Sequence, residues 1–272
     1  MTALPFRKMH GLGNDFVVLD ARRRAIALTP ERARALADRK FGIGCDQLIT
    51  LEPSHSADAF MRIHNADGGE VEACGNATRC IARLLMAETG RDQVGVETVV
   101  GRLDCRAVGD RVAVDMGAVR LDWRDIPLAR AMDTLHLDLP GDPVGVNVGN
   151  PHAVFFVPDA ESVDVAARGR ELEHDPLFPQ RANIEFATVL APGRIRMRVW
   201  ERGVGITRAC GTGACAALVA AARRGLTGRQ AVVVLDGGEL EIEWRADGHV
   251  IMTGPVAESF RGEVDPDALV PS

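Results

Sequence analysis

Along this chain apolar and polar residues alternate in short runs that read as strands, interrupted by four stretches with helical signals. Phe6 to His10 and Phe16 to Asp20 have strand alternation. Thr29 followed by Pro30 marks a helix start, because a Thr side chain caps free amides and Pro fits the first turn. Strand patterns at Gln47 to Leu51 and Ala59 to His64 follow, then a helix from Gly75 to Glu88 and three short strands ending near Met116. The same order begins again with strands at Val144 to Val148 and Ala153 to Val157 and a helix over Val163 to Leu172. Strands at Ile184 to Val189 and Ile195 to Trp200 precede an Ala-rich helix over Gly211 to Arg224. Strand-like runs at Ala231 to Leu235, Glu239 to Trp244 and Val250 to Thr253 complete the second series.

The recurrence extends to the residues themselves. Met61-Arg-Ile-His-Asn65 parallels Met197-Arg-Val-Trp-Glu201, Ala73-Cys-Gly-Asn76 parallels Ala209-Cys-Gly-Thr212, Gly13-Asn14 parallels Gly149-Asn150, and Gln47 falls on Asn183, all at an offset of 136. Gly101-Arg-Leu-Asp and Gly238-Glu-Leu-Glu match at 137, as one inserted residue produces. The chain therefore reads as two copies of one unit. A linker is expected near Gly117 to Asp125, which gives halves of 1–118 and 119–262, with 263–272 returning to the first half. A ligand site is expected between the halves.

Composition narrows the function. With 46% hydrophobic and 26% charged residues, the chain has the makings of a folded core. A net charge of −6 argues against nucleic acid or an anionic membrane as partner and favours a small molecule. The start carries no secretory pattern, and the run Ala214 to Ala222 is far short of the roughly 18 apolar residues that a membrane helix needs. A cytoplasmic location follows, where the six cysteines stay reduced. No Cys-x-x-Cys pair occurs, so no metal site is expected, and Cys45, Cys80, Cys105 and Cys215 read as core packing.

Cys74 and Cys210 differ from these four. Each lies at the entrance to a helix and directly before a glycine, Gly75 or Gly211, with Asn76 or Thr212 next. Unpaired amides of a first helical turn favour anions, so a thiolate is stabilised there and a carboxylate can be held beside it. One such dipeptide would read as a helix cap with a small buried sulfur; two in register, with polar partners also in register, favour chemistry. Approaching one carbon from opposite sides, one sulfur removes a proton and the other delivers one, and a pKa of about 8.5, lowered at such sites, suits both roles. The partners are the amides Asn14, Gln47, Asn65, Asn150 and Asn183, with Glu201 and Arg202 adding one charge of each sign, as a zwitterionic amino acid requires. Strand neighbours point to opposite faces, so Glu201 and Arg202 can share a ligand only where their strand ends, which Gly203 and Gly205 favour.

These segments resemble the diaminopimelate epimerase family: Met9-His-Gly-Leu-Gly-Asn-Asp-Phe16, Asn65-Ala-Asp-Gly68, Cys74-Gly-Asn-Ala-Thr-Arg-Cys80, Gly149-Asn-Pro-His152, and Glu201-Arg-Gly203 through Ala209-Cys-Gly-Thr-Gly213. The resemblance implies an α/β (α+β) fold of two pseudo-symmetric domains, each a mixed sheet or barrel wrapped around a central helix. It implies a cofactor-independent exchange of LL- and meso-2,6-diaminopimelate, without pyridoxal phosphate, serving lysine and peptidoglycan synthesis, and a homodimer. By the same resemblance Cys74 and Cys210 are the acid/base pair, with His152 and Glu201 setting their protonation. Gly75, Asn76, Gly211 and Thr212 cradle the reacting carboxylate, and Asn14, Gln47, Asn65, Asn150, Asn183 and Arg202 contact the rest of the substrate.

Three other readings remain open at this point. A proline or hydroxyproline racemase shares the paired cysteines, but there His usually follows the first Cys-Gly, where this chain has Asn76. A nucleotide-binding protein is suggested by Gly11-Leu-Gly13 and Gly203-Val-Gly205, neither with the third glycine of the dinucleotide fingerprint. A redox module would use Cys74 and Cys210 to form a bond.

Overall fold

The computed structural model describes residues 3–72, 74–265 and 269. Packing divides the chain into two compact units, one running to Val114 and resuming at Pro255, the other spanning Asp115–Gly254.

In the first unit β1 (Leu4–Gly11) and β2 (Asn14–Asp20) form an antiparallel hairpin turned at Leu12 and Gly13, both at positive φ. α1 (Pro30–Ala37), capped by the Thr29 hydroxyl as its sequence predicts, carries the chain over to β3 (Gln47–Glu52), which lies parallel to β2. β4 (Ala59–Asn65) pairs antiparallel with β3, and the short β5 (Glu70–Val71) folds back on it. α2 (Gly75–Thr89) leads to β6 (Gln93–Thr98), parallel to β4, and β7 (Gly101–Val108) and β8 (Arg111–Ala118) continue antiparallel. Phe16 to Leu19 are all buried, as a strand covered on both faces requires. One face meets α1 through Val17, Leu19, Leu36 and Leu48. α2 packs on β1, β6 and β7 and is buried on nearly every side from Gly75 to Met86, the mark of an interior helix.

The second unit repeats the plan. β9 (Val144–Asn147) and β10 (Pro151–Phe156) form a hairpin, and α3 (Val165–Glu173), capped by Asp164, precedes β11 (Asn183–Ala191), parallel to β10. β12 (Arg194–Glu201) pairs antiparallel with β11, and β13 (Gly205–Ile206) folds back on it. α4 (Gly211–Arg223) follows, then β14 (Gln230–Leu235), parallel to β12, with β15 (Gly238–Trp244) and β16 (His249–Gly254) antiparallel beyond. α4 touches β9 to β12 and β14 to β16, so the sheet wraps it. The small residues that dominate its buried run from Gly213 to Ala221 let strands approach closely on several sides at once. The expected sheet around a central helix is therefore what this unit forms.

Two boundaries fall elsewhere than the sequence suggests. The break lies at Val114 rather than in 117–125, where Val119 N donates to Gly248 O and Arg120 N to Asn147 O, both at 3.0 Å, and beyond it Ile126, Leu128 and Leu137 are buried in one cluster with Phe155 and Phe186. The return to the first unit begins at Pro255 rather than 263, because β17 (Ala257–Val264) pairs antiparallel with β1. Much of β17 is exposed, so its sequence shows no buried alternation to announce it. Both Gly-x-Gly segments lie in β-hairpin turns rather than between a strand and its crossover helix, which removes the structural basis for reading them as phosphate loops.

Candidate active site

In the first unit the loop after β5 delivers Cys74 to the N-cap of α2 with an extended backbone (φ −149°, ψ 108°). The half-buried sulfur stands 3.7 Å from Asn14 Oδ1. Asn76 Nδ2 donates to that same oxygen at 3.2 Å, and the fully buried Arg79 donates to Asn76 Oδ1 at 2.8 Å. Gly11 makes room for this guanidinium, since a Cβ there would lie 2.9 Å from Arg79 Nη2. The opposite end of Asn14 is fixed as well: its Nδ2 donates to Asp46 Oδ2 at 3.0 Å, so its acceptor oxygen faces the thiol. Asp46 is held by Arg39 at 2.7 Å, which also reaches Asp15 at 2.7 Å, and Lys8 pairs with Asp15 at 2.5 Å. Burial alone would raise the Asp15 carboxyl, but the Arg39 and Lys8 cations outweigh it and hold the group well below the usual carboxylate range. Gln47 Nε2 donates to Asn65 Oδ1 at 3.0 Å, directly across the β3–β4 ladder.

In the second unit Cys210 takes the matching place, the N-cap of α4, with φ −110° and ψ 110°. Its buried sulfur accepts from the Gly213 amide at 3.3 Å and lies 3.5 Å from Thr212 Oγ1. β12 ends at Glu201, and Val204 N donates to Glu201 O at 3.0 Å, closing the turn that frees Glu201 and Arg202 from strand alternation. The Glu201 carboxylate accepts from the Thr207 hydroxyl and is within hydrogen-bonding reach of Cys210. His152 is fully buried, with Nδ1 2.6 Å from Glu185 Oε1 and Nε2 2.8 Å from Asn150 Oδ1. Asn183 donates to Pro151 O at 2.9 Å and accepts from the Arg202 amide at 2.9 Å, tying β11 to the turn. The Arg202 guanidinium donates to Gln180 O at 3.3 Å.

The expected lowering of the thiol pKa by a helix N-terminus fails at Cys210. Burial pushes this thiol well above its ordinary range, Glu201 and Glu185 push it further, and the Thr212 and Gly213 hydrogen bonds do not compensate. Burial likewise raises the Glu201 carboxyl, against the hydrogen bonds from Thr207 and Cys210 and the pull of His152. Burial first, and the neighbouring carboxylates second, thus favour the thiol form of Cys210.

Each unit gathers its own share of the residues singled out from sequence. Cys74, Gly75, Asn76 and Asn14 meet in the first, with the Gln47–Asn65 pair on the adjoining strands; Cys210, Gly211, Thr212, Glu201, Arg202, Asn150, His152 and Asn183 meet in the second. Cys45, Cys80, Cys105 and Cys215 are buried, and burial pushes the Cys45 and Cys80 thiols up to about 12, where they are inert. Sequence reasoning missed Asp46, Arg79, Glu173 and Glu185. Glu173, the last residue of α3, accepts from Trp200 Nε1 at 2.7 Å and from the Gly203 amide at 2.8 Å, so it anchors the turn after Glu201. Period-two reading offered one signal, because it puts Glu185 on the same face of its strand as Asn183. All six cysteines are free thiols. Among the described residues no group of three or more His, Cys, Asp or Glu is placed to hold a metal, and no helix is long and apolar enough to cross a membrane.

A family model described as diaminopimelate epimerase matches residues 6–121 and 144–258. A diaminopimelate epimerase from Rhodospirillum centenum is 62% identical over 273 residues, covering 98% of this chain and 94% of its own. One from Phenylobacterium zucineum is 58% identical over 269 residues, covering 96% and 97%. Among solved structures, a hydroxyproline epimerase from Agrobacterium vitis with bound trans-4-hydroxy-L-proline superposes with a TM-score of 0.70 at 14% identity, covering 97% of this chain and 91% of that one. At that identity the likeness speaks for the fold alone.

Proposed function

The chain belongs to the diaminopimelate epimerase family, and from that premise we propose how its residues interconvert LL- and meso-2,6-diaminopimelate. It is an amino-acid epimerase, and the reaction inverts one α-carbon without pyridoxal phosphate. Cys74 and Cys210 are the two acid/base residues. The one present as thiolate takes the α-proton, and the electron pair left on carbon delocalises into the carboxylate. The other, present as thiol, returns a proton to the opposite face, so the enzyme ends with the two protonation states exchanged and no net redox change.

The observation that supports this reading is the matched placement of the two sulfurs, each at a helix N-cap beside first-turn amides. Those amides, from Gly75 and Asn76 and from Gly211 and Thr212, suit a carboxylate whose negative charge grows in the transition state. Glu201 suits the α-ammonium. Burial raises both Cys210 and Glu201 and neighbouring carboxylates add to it; an arriving ammonium offsets the second of these causes and eases proton exchange on this side. Asn14, Gln47, Asn65, Asn150, Asn183 and Arg202 hold the remainder, including the distal amino-acid centre that must not react. The product serves lysine and peptidoglycan synthesis, in a cytosolic homodimer.

LL-diaminopimelate incubated with the purified protein in deuterated water should gain α-deuterium as the meso isomer forms, followed by NMR. Cys74→Ala and Cys210→Ala should each abolish net epimerisation while circular dichroism stays native. Turnover surviving in either variant refutes the two-base assignment.

A further inference from the structure

Glu185 is fully buried on β11, in a run, Asn183-Ile-Glu-Phe-Ala, that is otherwise apolar after its first residue. Alternation puts Ile184 and Phe186 in the cluster that also holds Phe155 and Val165, while Asn183 and Glu185 share the opposite face. The carboxylate reaches the first turn of α4: a Cβ on Gly213 would lie 2.9 Å from Glu185 Oε1, 3.2 Å from Cys210 Sγ and 3.3 Å from Met197 Cε. Glycine at 213 is thus the gap through which carboxylate and sulfur come together. Burying a carboxylate is costly unless it is paired, and the partner is the equally buried His152, at 2.6 Å from Oε1. Oε2 is buried with no hydrogen-bond partner among the described residues. The titratable groups around it are His152 from β10, Glu201 at the end of β12 and Cys210 at the head of α4.

We propose that Glu185 is a positioning residue for the epimerisation: it accepts the Nδ1–H of His152 and so fixes the orientation of the ring between the Asn150 side chain and the Cys210 end of α4. An ionised carboxylate can only accept, so the 2.6 Å contact fixes which ring nitrogen donates to it. The Asn150 side-chain amide lies at the ring's other nitrogen, 2.8 Å from Nε2. The helix N-terminus favours an anion at this spot, which offsets part of the cost of burying it. Burial raises the Cys210 thiol, and the Glu201 and Glu185 carboxylates beside it add to the rise.

This inference rests on Cys210 being one of the two acid/base thiols, and the test separates the two claims. Glu185→Gln keeps the volume and removes the charge. Its kcat should fall on the order of 100-fold, as for a displaced catalytic group. In the direction where Cys210 is the base, the rise of kcat/KM with pH should move to lower pH, because an anion beside the thiol is gone. Unchanged kcat, or a loss with the pH profile unmoved, overturns the proposal. If Glu185→Gln does not fold, the wild-type protein labelled with 15N-histidine decides: a protonated Nδ1 in His152 is required, and an unprotonated Nδ1 overturns the inference. A Cys210→Ala variant with substantial turnover would instead sink the underlying site reading. An inactive Cys210→Ala beside an unaffected Glu185→Gln would leave that reading standing and remove only this one.

Discussion

Gly169→Ala sets two effects of opposite sign against each other. Gly169 lies inside α3, where propensity alone predicts that Ala stabilises a helix by about 1 kcal/mol. The structure reverses the sign. A Cβ at 169 would sit 2.3 Å from Trp200 Cβ and 2.5 Å from Trp200 Cγ. Those atoms are next to the backbone of β12, so no rotamer change at the far end of the indole relieves the overlap, and α3 or the strand must shift. Overpacking of this kind costs about 3 kcal/mol at the upper end of its usual range. Set against the propensity gain, the net loss is about 2 kcal/mol, which for a chain of this size lowers Tm by roughly 4–8 °C. The indole also donates to Glu173, which holds the Gly203 amide, and Glu201 is the next residue along the strand. A shifted Trp200 should therefore raise KM for diaminopimelate along with lowering stability. Thermal and urea melts of the two proteins, with steady-state kinetics below both transitions, measure the two effects. A Gly169→Ala protein as stable as wild type or more so would refute the reasoning, since only the clash opposes propensity.

Two further outcomes follow from the charges around the sulfurs. Asp46→Ala removes the acceptor that turns Asn14 Oδ1 toward Cys74, so activity should fall several-fold or more, while stability changes by no more than about 1 kcal/mol because its ion pair with Arg39 is exposed; an unchanged kcat/KM would show that Asn14 is oriented by something else. Burial and the neighbouring carboxylates raise the Cys210 thiol, so the proton is held to higher pH and thiolate is scarce near neutrality. In the direction where Cys210 is the base, kcat/KM should keep rising beyond the ordinary thiol value of about 8.5; a profile already flat at pH 8 contradicts this environment.

The two sulfurs are placed alike, but their surroundings differ. Cys74 is half-buried and faces an amide oxygen backed by a chain of amides and a buried guanidinium. Cys210 is buried and faces carboxylates. The repeated order of elements accounts for the shared helix N-caps, and the different side chains on the strands around them account for the electrostatic contrast.

Much of this was written in the chain. The alternating strands, the Thr29 cap and the glycines after each site cysteine are local signals that backbone preferences decide without help from distant residues, and the 136-residue register is read by comparing the two halves of the sequence. The end of β12 at Glu201, announced by Gly203 and Gly205, belongs to the same class. Tertiary structure alone decided what depends on burial and on partners far away in sequence. Residues 119–143 have no strand or helix to predict, yet Ile126, Leu128 and Leu137 are in the second unit's core. β17 is a strand because β1 offers it an edge, not because of its own pattern. Glu185 and Arg79 read as ordinary charges until the fold encloses them completely. The direction of the Cys210 shift was decided in the same way: a helix N-terminus can be read from sequence, but the desolvation that overrides it exists only once the strands close around the sulfur.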